Sequence, residues 1–231
     1  MIKLIIFDLD GTLLNTIEDL ADCTNFVLQK YGFQTHTINN YQYFVGSGVD
    51  VLLQKALPKD ISKQMYSVIR DEFMKHYEIH KENKTAPFDG MVETLEYLQK
   101  KGILLAVATN KPQMLLPDLM HHYFPTIKWA AVFGNRKGLP VKPNPQIVLE
   151  ILEHIQNNTS MYDITPSSPP VINKENILFV GDTDVDMETA KNAGITKVGA
   201  LWGFRTKEEL ENAHADYLIN TPKELIKLVS D

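Results

Sequence analysis

Five short stretches of the chain are apolar with little or no alternation: Lys3 to Phe7, Ile103 to Ala108, Trp129 to Phe133, Ile177 to Val180, and Thr196 to Leu201. Unbroken apolar runs of this length suit strands covered on both faces, as in a parallel sheet. Between them the pattern changes to helical spacing. Residues 91–101 put Val92, Leu95 and Leu98 on one face and stop at Gly102. Residues 184–193 run into Gly194 in the same way, and Pro112 is positioned to lead another helix before the third strand. Strands alternating with helices predict an α/β fold with a doubly wound, Rossmann-like parallel sheet.

The rhythm breaks between the first two strands, where about seventy residues show helix and turn patterns without a strand signal. Residues 16–31 form one amphipathic segment, and Ile61, Met65, Ile69 and Phe73 form a stripe in another. The expected organisation is a core domain of residues 1–14 and 89–231, with residues 15–88 inserted as a small helical cap. Cys23 and Met65 are expected in the cap core. The stretch 157–176 is polar and rich in Ser and Pro, the signature of a surface loop.

Composition narrows the function classes. The formal charge is −6 and no basic stripe is present, which argues against a nucleic-acid partner. A single cysteine excludes a disulfide framework and a thiolate zinc site. No run is long enough for a membrane span, so a cytoplasmic protein without membrane association is expected, as monomer or homodimer.

The chemistry is concentrated where strands end. The first strand runs into DLDGT, placing Asp8 and Asp10 on the same side of extended chain, followed by Gly11 and Thr12. Two acids that close require a cation or a shared proton. The second strand ends in Thr109, Asn110 and Lys111, and the fourth in Gly181, Asp182 and, four residues on, Asp186. Lys142 stands in VKPNP, ahead of the helix leading to the fourth strand. In an open parallel sheet, ligands bind beyond the carboxyl ends of the strands, so these groups are expected around one cleft. Taken singly, each has a plainer reading: the aspartates as turn formers, Lys142 as a solvated side chain, Thr109 and Asn110 as helix caps. His76 and His80, four apart, read as an exposed helix face, because no third ligand follows them.

DLDGT, TNK, VKPNP and GDTDVD, in this order, resemble the motifs of the haloacid dehalogenase-like superfamily of phosphotransferases, over nearly the whole chain. The resemblance implies Asp8 as nucleophile and Asp10 as general acid and base. It implies Mg2+ held by the Asp8 carboxylate, the Asp10 carbonyl and Asp182, with Asp186 acting through water or by orienting Asp182. Thr109 and Lys142 would spread the charge of a transferring phosphoryl group, and Gly11 and Asn110 would help bind it. The segments FVGSGVDVLLQKAL and LWGFRT resemble the phosphoglycolate phosphatase branch. That implies a small phosphorylated metabolite as substrate, with Ser47 and Gly48 of the cap turn facing it. A broader sugar-phosphate or nucleotide phosphatase, a β-phosphoglucomutase-like phosphotransferase and a catalytically silent regulatory protein of the same fold are the alternatives.

Overall fold

The computed structural model describes residues 1–157 and 172–230. Its centre is a parallel six-stranded sheet made of β1 (Leu4–Phe7), β4 (Leu104–Pro112), β5 (Trp129–Asn135), β6 (Ile177–Gly181), β7 (Thr196–Ala200) and β8 (Tyr217–Ile219). The strand order is β5-β4-β1-β6-β7-β8. β1 lies between β4 and β6, with Phe7 level with both Val107 and Val180. All four of its residues are buried, which is why its sequence shows no alternation.

Successive side chains of these strands feed two separate cores. Ile5, Phe7, Leu105, Val107, Leu178 and Val180 pack on one face against α5 (Met91–Lys100) and α6 (Leu116–Tyr123). Leu4, Ile6, Ala106, Ala108, Ile177 and Phe179 pack on the other against α7 (Gln146–Asn157) and α8 (Asp184–Ala193). The sheet is thus wound on both faces. Its connections run one way from β1 and the other way from β6, so the crevice of the fold opens beyond the ends of these two neighbours.

Between β1 and β4 the chain forms α1 (Ile17–Lys30), α2 (Ile38–Phe44), α3 (Val49–Ala56) and α4 (Lys63–His80). These helices share a third core that includes Leu20, Val27, Tyr41, Leu53, Ile69 and Phe73, joined by Leu115 and Phe204 from the sheet side. Burial of each such side chain contributes about 1.5–3 kcal/mol. The chain leaves and rejoins the sheet region through a small antiparallel ribbon, β2 (Leu14–Asn15) with β3 (Ala86–Pro87). Among the described residues, no helix is long and apolar enough to cross a membrane.

Several local expectations are corrected. β8 and the β2–β3 ribbon escape the hydrophobic pattern because they are two or three residues long and partly exposed. Pro112 ends β4, since that strand still pairs with Asn135 there; the following helix begins at Leu116 after a 3-10 turn. Met65 is 40% exposed: the buried stripe of α4 is Ile69, Phe73 and Tyr77, and Met65 lies in its exposed first turn. His76 stacks on Phe26, with ring centroids 3.8 Å apart. Of the stretch read as a surface loop, residues 158–171 lie outside the described residues.

Candidate active site

The exits of β1, β4 and β6 bring Asp8, Thr109, Asn110, Lys111 and Asp182 to one end of the sheet, all buried. Carboxylate oxygens of Asp8, Asp182 and Asp186 lie within 4.8 Å of one another. Lys142 reaches into this group, its Nζ 2.7 Å from Asp8 Oδ1 and 2.7 Å from Asp186 Oδ1. Three acids against one ammonium leave an uncompensated charge of about −2 when all are ionised, which suits a divalent cation among oxygen ligands.

The acids are fixed by hydrogen bonds and close packing. Asp182 Oδ1 accepts from the Thr12 hydroxyl at 3.0 Å and Oδ2 from the Phe204 amide at 2.8 Å. Asp186 Oδ2 accepts from the amide and hydroxyl of Thr183, which places the Asp186 side chain at the start of α8. Glycines make the space: a Cβ on Gly11 would lie 2.3 Å from Asp182 Oδ2, and one on Gly203 2.1 Å from Asp182 Cβ.

Burial pushes the Asp8 carboxyl up from 3.8 to about 7; Lys142 opposes this rise and Asp186 adds to it. Asp182 is also pushed well up, by burial first and then by Asp186 and Asp8. Burial works against the Lys142 ammonium, but Asp186 and Asp8 outweigh it and raise its pKa above that of an ordinary lysine. Burial and mutual repulsion thus favour protons or metal on Asp8 and Asp182, and charge on Lys142.

Asp10 stands apart from the three clustered carboxylates. Its Oδ1 accepts from Lys111 Nζ at 2.9 Å, and Lys111 also donates to the Tyr77 hydroxyl at 2.6 Å. Asp8, Asp10, Thr109, Asn110, Lys111 and Tyr77 line one cleft, with Leu20, Val45, Gly46, Gly48, Val49 and Leu52 supplied by the helical segment. The enclosed volume is about 30 Å³, room for only a water or two. Three links hold the helices down on the sheet: Lys111 to Tyr77, Asn110 Nδ2 to the Gly46 carbonyl at 3.1 Å, and Arg205 to the carbonyls of Gln42 and Val45. Those last carbonyls lie at the C-terminal end of α2, where acceptors lack helical partners.

Three of the expected site residues make contacts that the sequence did not disclose. The Gly11 amide donates to the Leu14 carbonyl at 2.8 Å and is not offered to a ligand; its positive φ of 91° and missing Cβ serve the turn and make room for Asp182. Asn110 spends its side chain on Gly46 and on both backbone groups of Lys142, so it braces the site. Ser47 lines a neighbouring groove with Tyr43, Lys55, Asp184 and Arg205, whereas Gly46 and Gly48 face the cleft. Tyr77 was invisible in the sequence as a site residue: four positions after Phe73, it continues the apolar stripe of α4.

The family model of the haloacid dehalogenase-like hydrolases matches residues 5–200. The phosphoglycolate phosphatase of Aquifex aeolicus is 33% identical over 234 residues, covering 99% of this chain and 97% of that protein. That of Vibrio cholerae is 29% identical over 239 residues, covering 99% and 97%. A crystal structure from Lactobacillus delbrueckii subsp. bulgaricus, given a provisional phosphoglycolate phosphatase assignment, superposes with a TM-score of 0.84 at 25% identity and 98% coverage of both chains.

Proposed function

Because the chain belongs to the haloacid dehalogenase-like hydrolases, we propose that it is a Mg2+-dependent phosphatase of small phosphomonoesters, with 2-phosphoglycolate as its substrate. The observation that carries this reading is the placement of Asp8, buried, lining a closed cleft and held by Lys142 beside two further acids. The similarity to phosphoglycolate phosphatases supports the choice of substrate.

In this reading Asp8 attacks phosphorus in line and forms an aspartyl-phosphate. Lys142 and the Thr109 hydroxyl hold the charge that gathers on the equatorial oxygens. Asp8, Asp182 and the carbonyl of Asp10 would hold Mg2+, with Asp186 directing Asp182 and Lys142. When bound, Mg2+ supplies electrophilic stabilisation of the transferring phosphoryl group. Asp10 gives a proton to the leaving oxygen and later takes one from the water that hydrolyses the Asp8 adduct. Residues 15–88 act as a lid that opens to admit substrate and closes to exclude bulk water. A cytoplasmic setting belongs to the same reading, given the single cysteine.

The test is phosphate release from a panel of phosphomonoesters with Mg2+ or with EDTA. Preferential, Mg2+-dependent hydrolysis of 2-phosphoglycolate is expected. Equal turnover of hexose phosphates and nucleotides would replace this substrate assignment with the broader one, and no release from any ester would remove the phosphatase reading.

A further inference from the structure

Among the described residues lining the cleft, Lys111 is the one that is basic. Its side chain is 1% exposed, yet it faces a single carboxylate, Asp10, and one neutral group, the Tyr77 hydroxyl. Lys142 differs: it is wedged between two acids on the side of the acidic cluster. An ammonium has three N–H donors, and the described contacts use two of those on Lys111. The side chains that the helical segment adds to the lining besides Tyr77 are apolar: Leu20, Val45, Val49 and Leu52. A small substrate with a second negative charge therefore meets one fixed cation in this cleft.

We infer that Lys111 is the specificity-determining residue that recognises the second anionic group of the substrate, a carboxylate, and that Tyr77 from α4 is the positioning residue that aims it. The inference rests on the phosphatase reading and deepens it. To serve the leaving oxygen, Asp10 has to turn from Lys111. A buried ammonium left without its anion is strongly unfavourable, so the exchange is easy only when the substrate brings a carboxylate to replace Asp10. Lys111 then passes from Asp10 to the substrate, and Asp10 is released for its own task. Tyr77 keeps Lys111 in place throughout without neutralising it. Since Tyr77 comes from the helical segment, the full arrangement exists only when that segment is closed on the sheet. Esters lacking the second anion bind without triggering the exchange.

Steady-state kinetics of the full-length protein with Mg2+ test this, using 2-phosphoglycolate and ethyl phosphate, which has the same two-carbon frame without the carboxylate. Losses that do not depend on the ester cancel in the ratio of their kcat/KM values, whereas release of Asp10 by removal of Lys111 favours only ethyl phosphate and moves the ratio in the same direction as loss of the carboxylate contact. Lys111→Met should lower that ratio roughly 10- to 100-fold, the loss of one charge-assisted contact. Lys111→Arg should recover part of it. Tyr77→Phe keeps the ring stacked on Phe73, 5.4 Å away, and should lower the ratio by a smaller factor; it carries the test should Lys111→Met fail to fold. An unchanged ratio in these variants overturns the inference. A wild-type protein that hydrolyses both esters equally well also overturns it while leaving the phosphatase reading intact. Absence of Mg2+-dependent release from every ester removes that reading and this inference together.

Discussion

Lys142 and Asp8 are 134 residues apart in the chain and 2.7 Å apart in the fold, both essentially withdrawn from solvent. The lysine also holds Asp186 at the same distance, so one ammonium ties Asp8 at the end of β1 to an acid in the first turn of α8. Removal of that ammonium leaves buried carboxylates facing one another with no charge between them.

Lys142→Ala should therefore damage both stability and rate. Breaking a buried, hydrogen-bonded ion network typically costs about 3–5 kcal/mol. In denaturant unfolding the metal-free variant should fall by about that amount, and Mg2+ should recover part of it. The value of kcat should drop roughly 10²- to 10³-fold as the fixed cation at the phosphoryl group is lost. Wild-type stability in the metal-free variant would show that the network carries no structural weight.

Asp8→Asn should abolish turnover, by at least roughly 10⁴-fold, because an amide is not a competent nucleophile. The fold should survive, since the substitution is nearly isosteric. Mass spectrometry of the acid-quenched reaction should find a phosphoryl adduct on the wild-type peptide containing Asp8 and none on the variant. An adduct on another residue would displace Asp8 from its role.

The raised Asp8 and Asp182 carboxyls set a pH dependence. A carboxyl with a higher pKa in the folded chain than in the unfolded one keeps its proton on folding. Its contribution to stability is complete below the ordinary value of 3.8 and is lost as pH rises through the folded value, about 7 for Asp8. Asp182 shifts in the same direction. Metal has to displace those protons, so its stabilising effect grows over the same interval. Thermal unfolding with EDTA or Mg2+ at about pH 5, 6, 7 and 8 should show a Mg2+ increment in Tm that increases with pH, and a smaller increase in Asp8→Asn. An increment independent of pH would contradict the link between burial of these acids and metal binding.

Gly203→Ala tests whether packing sets the position of Asp182. The added Cβ would fall 2.1 Å from Asp182 Cβ, so the carboxylate has to move. Mg2+ affinity, read from the metal dependence of turnover, should weaken roughly 10- to 100-fold. Unfolding should remain cooperative. Unaltered metal dependence would mean that the loop after β7 yields and Asp182 stays in place.

How far the sequence discloses this arrangement follows from which forces are local. β1 is legible because a strand buried on both faces must be apolar at every position, and Asp8 and Asp10 stand out at its end for the same reason. The four motif segments identify the groups at the cleft because each follows a strand, and strand ends in a parallel sheet converge. Tyr77 was hidden because a residue in a buried helical stripe looks the same whether its far end meets apolar core or a lysine. The contacts of Gly11 and Asn110 were hidden for a related reason. A glycine that makes room for Asp182 and an amide that braces Lys142 serve contacts 171 and 32 residues away, and local spacing carries no trace of them. β8 is short and its first residue, Tyr217, is half exposed, so its pairing with β7 leaves no mark on the hydrophobic pattern.

The two-residue ribbon of β2 and β3 has a wider consequence. Leu14 is level with Pro87 and Asn15 with Ala86, so the point where the chain departs for the helices adjoins the point where it returns. None of the six sheet strands is drawn from the intervening segment. Splicing Asn15 to Ala86 would need only a tight turn and would leave every strand pairing of the sheet in register. The scaffold that performs the chemistry is in this sense a socket: helices of another length or sequence could be seated at the same junction, altering what is selected while the strand ends carrying Asp8, Thr109 and Asp182 stay as they are.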